Sequence, residues 1–160
     1  MISTDVFTIT NPALGGLILW SFLQGYESNE KEGCPFPLIF LPLPLILSKT
    51  IRDEFKGTNA GTGLYTWVAK NPKVLVNLKI RIESSSQVTR NAIVFASASQ
   101  VLKISEDGVL FSNNSGIAKN KIKDSSDEIN EMVRIANRFG KWLSQINSVS
   151  DIYNSLGLRL

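Results

Sequence analysis

The sequence contains no histidine and only one cysteine in its 160 residues. Without histidine, this chain cannot supply a Ser-His-Asp triad, a Cys-His pair or a His-ligated zinc site. Cys34 has no second cysteine with which to form a disulfide, which favours a reducing, cytoplasmic location. Its neighbours include no base that would activate the thiol, so we expect it to be inert. What remains is chemistry by lysine or carboxylate side chains, or no chemistry, and we expect neither a cofactor nor a metal site.

The sequence also lacks a strong excess of either positive or negative charge. The chain has 17 basic and 14 acidic residues, a formal net charge of +3, and 19% charged residues. This mild imbalance does not indicate a nucleic-acid-binding tail. The low content of charged residues in a chain of one-domain length favours a surface that is partly covered by a partner protein.

No apolar run is long enough to span a membrane, since a spanning helix needs about 20 apolar residues. The two longest runs, residues 12–26 and 35–47, are interrupted by polar residues and glycines or by prolines. The first five residues lack the positive charge with which a signal peptide begins. We expect no contact with a membrane, and both runs are interpreted as buried or covered by another subunit.

The first 70 residues are predicted to be mainly helical. Asn11 is a suitable cap for a helix over residues 12–26, which has almost no polar face and should be buried on all sides. A second helix is predicted over residues 44–55, with Arg52 facing outward. A short helix over residues 63–70 follows a glycine-rich loop.

The stretch from residue 71 to residue 83 is ambiguous by pattern alone. Alternating apolar side chains favour a strand, whereas the Asn71-Pro72 start and a four-residue apolar spacing favour a helix. Three serines at residues 84–86 predict a break. A further helix is predicted over residues 87–101, with Val94 among its inward-facing residues.

A β-hairpin is predicted directly after that helix. Asp107-Gly108 lies between two apolar runs, which is a strong hairpin signal. A helix that leads into a hairpin is typical of a winged-helix element, which we place at about residues 72–123. Residues 125–157 are predicted to form the C-terminal helices. The predicted fold class is therefore mainly α with a small β-hairpin, in a single domain over residues 1–160.

Five short segments, taken in their order along the chain, make the sequence similar to a known family. They are Asn11-Pro12-Ala13-Leu14-Gly15-Gly16, Leu41-Pro42-Leu43-Pro44-Leu45, Trp67 before Asn71-Pro72, Arg90-Asn91-Ala92-Ile93 before Glu106-Asp107-Gly108, and Leu156-Gly157-Leu158-Arg159. Together they resemble the middle components of bacterial three-component ABC systems. Those proteins are encoded between an effector gene and a gene for an SMC- or Rad50-like ATPase, and Lamassu-type anti-phage defence operons are the best-known members. The similarity extends from about residue 7 to residue 160.

The resemblance implies a non-catalytic accessory subunit that contacts the ATPase heads and links them to an effector, typically a nuclease. It also favours helix over strand for residues 71–83, and it implies that DNA is contacted mainly through the complex. The alternative is a winged-helix nucleic-acid-binding protein or regulator. The helix-plus-hairpin pattern and the mildly basic charge favour that alternative.

Two sets of candidate binding residues follow from these patterns. A partner interface is predicted in the first helix, the proline-rich run and the C-terminal tail, at Leu17, Trp20, Pro42, Pro44, Asp151, Leu156, Leu158 and Arg159. Within the tail, Arg159 is expected to pair with Asp151. A minor contact with the DNA backbone is predicted at Arg90, Lys119, Lys121 and Lys123.

Overall fold

The computed structural model describes residues 11–113 and 126–160, and this part of the chain is mainly helical. Its α-helices are α1 (Pro12–Glu27), α2 (Pro42–Ile46), α3 (Lys49–Asp53), α4 (Leu64–Lys70), α5 (Leu78–Ala98), α6 (Asp127–Ser144) and α7 (Val149–Ser155). Two 3-10 helices, Phe36–Phe40 and Pro72–Leu75, lie between them. None of the helices in these residues has the length and apolar content needed to cross a bilayer.

The helix α1 is buried on nearly all sides, as its apolar sequence predicts. The Asn11 side chain accepts a hydrogen bond from the Ala13 backbone N–H at 3.0 Å and thereby caps the helix. Along its length α1 packs against both α5 and α6. Gly16 lies against Ala96 of α5, where an added Cβ would come within 3.3 Å of the alanine methyl group. Small residues at this crossing therefore let the two helices approach closely.

The predicted hairpin is present, and a third strand extends it. Strands β2 (Leu102–Ile104) and β3 (Val109–Ser112) pair antiparallel, with Leu102 opposite Ser112. Strand β1 (Cys34–Pro35) pairs antiparallel with the other edge of β3, so that Cys34 lies opposite Leu110. A two-residue strand is too short to show an alternating pattern, which is why the sequence did not indicate it.

The helix predicted over residues 44–55 is instead two short helices, α2 and α3. Ser48 separates them with an extended backbone (φ −85°, ψ 115°), and its hydroxyl accepts a hydrogen bond from the Ile51 N–H. A serine that caps a new helix in this way ends the preceding one. The change of direction also turns Arg52, which was predicted to face outward, into the interior.

The ambiguous stretch forms no strand, which agrees with the family resemblance, but it is not one helix: a turn at Val76 and Asn77 separates the 3-10 helix Pro72–Leu75 from α5. The predicted break at residues 84–86 is wrong. These residues lie inside α5, where the Ser84 hydroxyl donates to the Ile80 carbonyl at 2.7 Å. Serines that bond to the preceding turn in this way are accommodated within a helix. The prediction for Val94 is also wrong, since the continuous helix buries Ala92, Ile93 and Ala96 and leaves Val94 69% exposed.

The C-terminal helices α6 and α7 are present, and both contribute buried side chains to the core. Ser126 caps α6 through its hydroxyl, and the apolar face of α6 is buried. Phe55, Trp67 and Trp142 form a cluster of three rings, with the Phe55 centroid 4.3 Å from Trp67 and 5.4 Å from Trp142 and the two indoles 5.6 Å apart. The Trp142 indole N–H donates to the Asn59 carbonyl at 2.9 Å, so this cluster also holds the glycine-rich loop against α6.

Candidate partner-binding site

The residues of the predicted partner interface divide into buried and accessible ones. Trp20, Pro42, Pro44, Leu156 and Leu158 lie in the interior of this subunit, and Leu17 is half-buried. Asp151 and Arg159 are exposed. The interface stays a prediction, and its accessible members are the half-buried residue of α1 and the two charged residues near the end of the chain.

The C-terminal tail packs on its own subunit. Leu156 and Leu158 are buried, and the Leu158 N–H donates to the Tyr153 carbonyl at 2.9 Å. The Tyr153 hydroxyl donates to the Pro37 carbonyl in the segment that follows β1. The predicted ion pair between Arg159 and Asp151 is not formed. Neither residue takes part in any ion pair among the described residues. Apolar burial and backbone hydrogen bonds, rather than an ion pair, therefore hold the tail.

The predicted DNA-contacting residues are only partly covered by the structure. Arg90 is exposed on α5, whereas Lys119, Lys121 and Lys123 lie outside the described residues. The turn of the hairpin presents the exposed acidic residue Asp107. Negative charge at that tip is unfavourable beside a phosphate backbone. The DNA contact therefore stays a prediction.

Arg52 is the most unusual charged residue of the described chain, because its side chain is only 3% exposed. Its Nη1 donates to the Ile46 carbonyl at 2.7 Å, and its Nη2 donates to Glu128 Oε1 at 2.6 Å. Its Nε has no hydrogen-bond partner among the described residues. The sequence did not indicate this residue because its buried position depends on where Ser48 starts α3.

A groove of about 500 Å³ lies beside Arg52, between α2 and α3 on one side and the first half of α5 and the start of α6 on the other. We call it the basic groove. Its lining combines apolar and charged side chains, among them Leu47, Lys49, Arg52, Ile80, Arg81 and Glu128. Its volume falls in the range that is typical of concave sites where proteins bind other molecules.

A smaller groove of about 290 Å³, which we call the side groove, lies next to the basic groove on the other side of Arg81. It runs between α3 and the segment that joins the 3-10 helix Pro72–Leu75 to α5, and Lys73 and Val76 line it. Arg81 lines both grooves. The two grooves therefore adjoin at Arg81, and residues of α3 line both of them.

The titratable groups buried elsewhere in the subunit are poorly suited to chemistry. Burial raises the pKa of the Cys34 thiol far above its usual range, with a smaller contribution from the charge of Glu27. Burial likewise raises the pKa of Tyr26 to about 12. In the part of the chain that the structure describes, no three residues of the types His, Cys, Asp or Glu are grouped so that they could hold a metal ion.

Comparison with protein families identifies a relationship over nearly the whole chain. Residues 2–160 match the family described as ABC-three component (ABC-3C) system Middle Component 3. No curated protein and no solved structure matches the chain.

Proposed function

Because this chain belongs to the Middle Component 3 family of ABC-three component systems, we propose that it is a non-catalytic accessory subunit of a cytoplasmic complex built around an SMC- or Rad50-like ATPase. In this proposal it joins the ATPase heads to an effector subunit of the nuclease type, and the complex acts in anti-phage defence of the Lamassu kind. Any contact with DNA is made mainly through the complex.

The main support for this proposal is the match to the family over residues 2–160. A middle component is by definition one of three, so partner proteins follow from membership. The lack of histidine and the burial of Cys34 support a role without chemistry of its own. The two adjoining grooves beside α3 support a role in protein contacts.

Co-expression with the products of the two neighbouring genes tests the proposal. We expect the three proteins to co-purify and to elute together in size-exclusion chromatography. We also expect the operon to lower phage plaquing, and this protection to be lost when the present chain is deleted. If the chain purifies alone and the operon gives the same protection without it, the proposal is wrong.

A second candidate function, direct binding to nucleic acid, is favoured by one observation. The helix α5 leads within four residues into the β2–β3 hairpin, the order found in winged-helix proteins. Fluorescence anisotropy with a short DNA duplex at about 150 mM salt separates the two functions. Tight binding by the isolated subunit supports the second candidate, whereas binding by the assembled complex alone supports the first.

A further inference from the structure

We propose that the basic groove and the side groove together bind an acidic, partly apolar segment of a partner protein in the same three-component system. The inference rests on the proposed function, because it requires such a partner. It adds the place on this subunit where the partner binds and the chemistry of the segment that binds there.

The charges that line the two grooves are the first argument. Four basic side chains lie there: Lys49, Arg52, Lys73 and Arg81. Three of them are in ion pairs: Lys73 with Glu54 at 2.8 Å, Arg52 with Glu128 at 2.6 Å and Lys49 with Asp53 at 3.5 Å. Among the described residues, Arg81 lies in no ion pair although it lines both grooves. The guanidinium of Arg81 is therefore the positive charge that a carboxylate in the grooves would complement.

The buried guanidinium of Arg52 is the second argument. Its Nη1 and Nη2 atoms both have acceptors, but its Nε is buried and has none among the described residues. A buried donor without an acceptor is unfavourable, and such groups in folded proteins call for a partner. Because Arg52 lines the basic groove, its buried guanidinium adds positive charge to the groove wall, which a carboxylate in the groove would complement.

The exposed apolar side chains decide between a protein segment and a nucleic acid. Ile80 is 61% exposed in the basic groove, and Val76 is similarly exposed in the side groove. Apolar side chains beside paired acidic groups do not suit a phosphate backbone, but they suit a peptide that alternates acidic and apolar residues. Two adjoining grooves that share Arg81 also fit an extended segment better than a compact anion.

Substitutions on the exposed part of α5 test the inference without disturbing the core. We choose Arg81→Glu and Ile80→Asp as groove variants. The matched controls are Arg134→Glu on α6, which also reverses an exposed charge, and Val94→Asp on α5, which also places a carboxylate on an exposed apolar position. Val94 is separated from Ile80 by about 21 Å along the helix. Thermal melting should give the same transition for all four variants and the wild type.

The readout is the affinity of each purified variant for the purified partner subunits, measured by biolayer interferometry. We expect both groove variants to raise Kd at least about tenfold and both controls to leave it unchanged. If the groove variants bind as the controls do while the wild type assembles, the inference is wrong and the proposed function stands. If the wild type does not assemble, both are wrong.

A photo-crosslinking residue at position 80 identifies the occupant. We expect it to crosslink to a partner peptide that contains aspartate or glutamate, and the same residue at position 94 not to do so. A peptide without acidic residues would contradict the inference. A duplex DNA control covers the remaining case: if Arg81→Glu weakens DNA binding by the complex and leaves its assembly unchanged, the grooves bind nucleic acid and the inference is wrong.

Discussion

Gly25 in α1 and Gly140 in α6 form a reciprocal contact in which each glycine lies against the backbone of the other helix. A Cβ atom on Gly25 would lie 2.0 Å from the Asn137 carbonyl oxygen, and one on Gly140 would lie 2.1 Å from the Phe22 carbonyl oxygen. Both distances are far below any van der Waals contact. Side chains at these positions would therefore force the two central helices apart.

We expect Gly25→Ala or Gly140→Ala to lower the free energy of unfolding by about 3 kcal/mol. The obstacle in each case is a helix backbone, which cannot move aside as a flexible side chain can. Chemical denaturation with urea measures the change. Gly61→Ala is the control, because Gly61 lies in an exposed loop and should change stability by less than about 0.5 kcal/mol. Equal effects at all three positions would contradict the close crossing.

Arg52→Ala should destabilise the subunit by about 2–3 kcal/mol. The substitution removes the donor to the Ile46 carbonyl at the end of α2 and leaves a space beside the core. Glu128→Gln should lower the free energy of unfolding by less than about 1 kcal/mol, because the Glu128 side chain is 60% exposed and the glutamine oxygen can still accept the hydrogen bond from Arg52 Nη2. Lys49→Ala, three residues earlier on the same helix, is the exposed control. If Arg52→Ala melts at the wild-type temperature, the buried position assigned to Arg52 is wrong.

The tail should contribute measurably to stability through its buried leucines. Leu156→Ala should lower the free energy of unfolding by about 2–4 kcal/mol, because it leaves a cavity in the core. Leu160→Ala should cost less than about 0.5 kcal/mol, since Leu160 is the exposed last residue. Deletion of residues 151–160 should lower both the melting temperature and the association with the ATPase. A truncated protein that melts and assembles like the wild type would show that the tail is a passive end.

Alkaline pH should destabilise the subunit partly through Cys34. Burial raises the pKa of this thiol in the folded protein, while the unfolded chain loses the proton near pH 8.5. Above that pH the unfolded state binds fewer protons than the folded state, so the stability that the buried thiol contributes falls as pH rises. Tyr26, whose pKa is raised to about 12, likewise lowers the stability of the folded protein as the pH rises above about 10.

Urea denaturation at a series of pH values between about 7 and 10 measures this effect. We expect Cys34→Ala to lose less stability across that range than the wild type does, although it is less stable at neutral pH. The native protein should also react slowly with a thiol reagent and rapidly once unfolded. Parallel pH dependences for the two proteins would contradict a buried, protonated thiol.

The alternation and capping signals that act within a few residues were readable in the sequence. Asn11 caps the helix that it was expected to begin, and the turn at Asp107-Gly108 joins two strands. Helices were expected over residues 125–157, where α6 and α7 lie, and the all-round apolar sequence of α1 predicted its burial. These features depend on local hydrogen bonds and on the period of the helix, so neighbouring residues suffice to determine them.

Features that depend on distant residues were decided only by the tertiary structure. Strand β1 exists because the edge of β3 is available to a two-residue segment about 75 residues earlier in the chain. Arg52 was expected to face outward, but Ser48 begins a new helix, and the resulting direction brings Arg52 to Ile46 and Glu128. The basic groove likewise requires α3, α5 and α6 to meet. The sequence by itself thus determined α1, the C-terminal helices and the hairpin, whereas the packing of these elements decided where the other helices begin and end, which charged side chains are buried and where the grooves form.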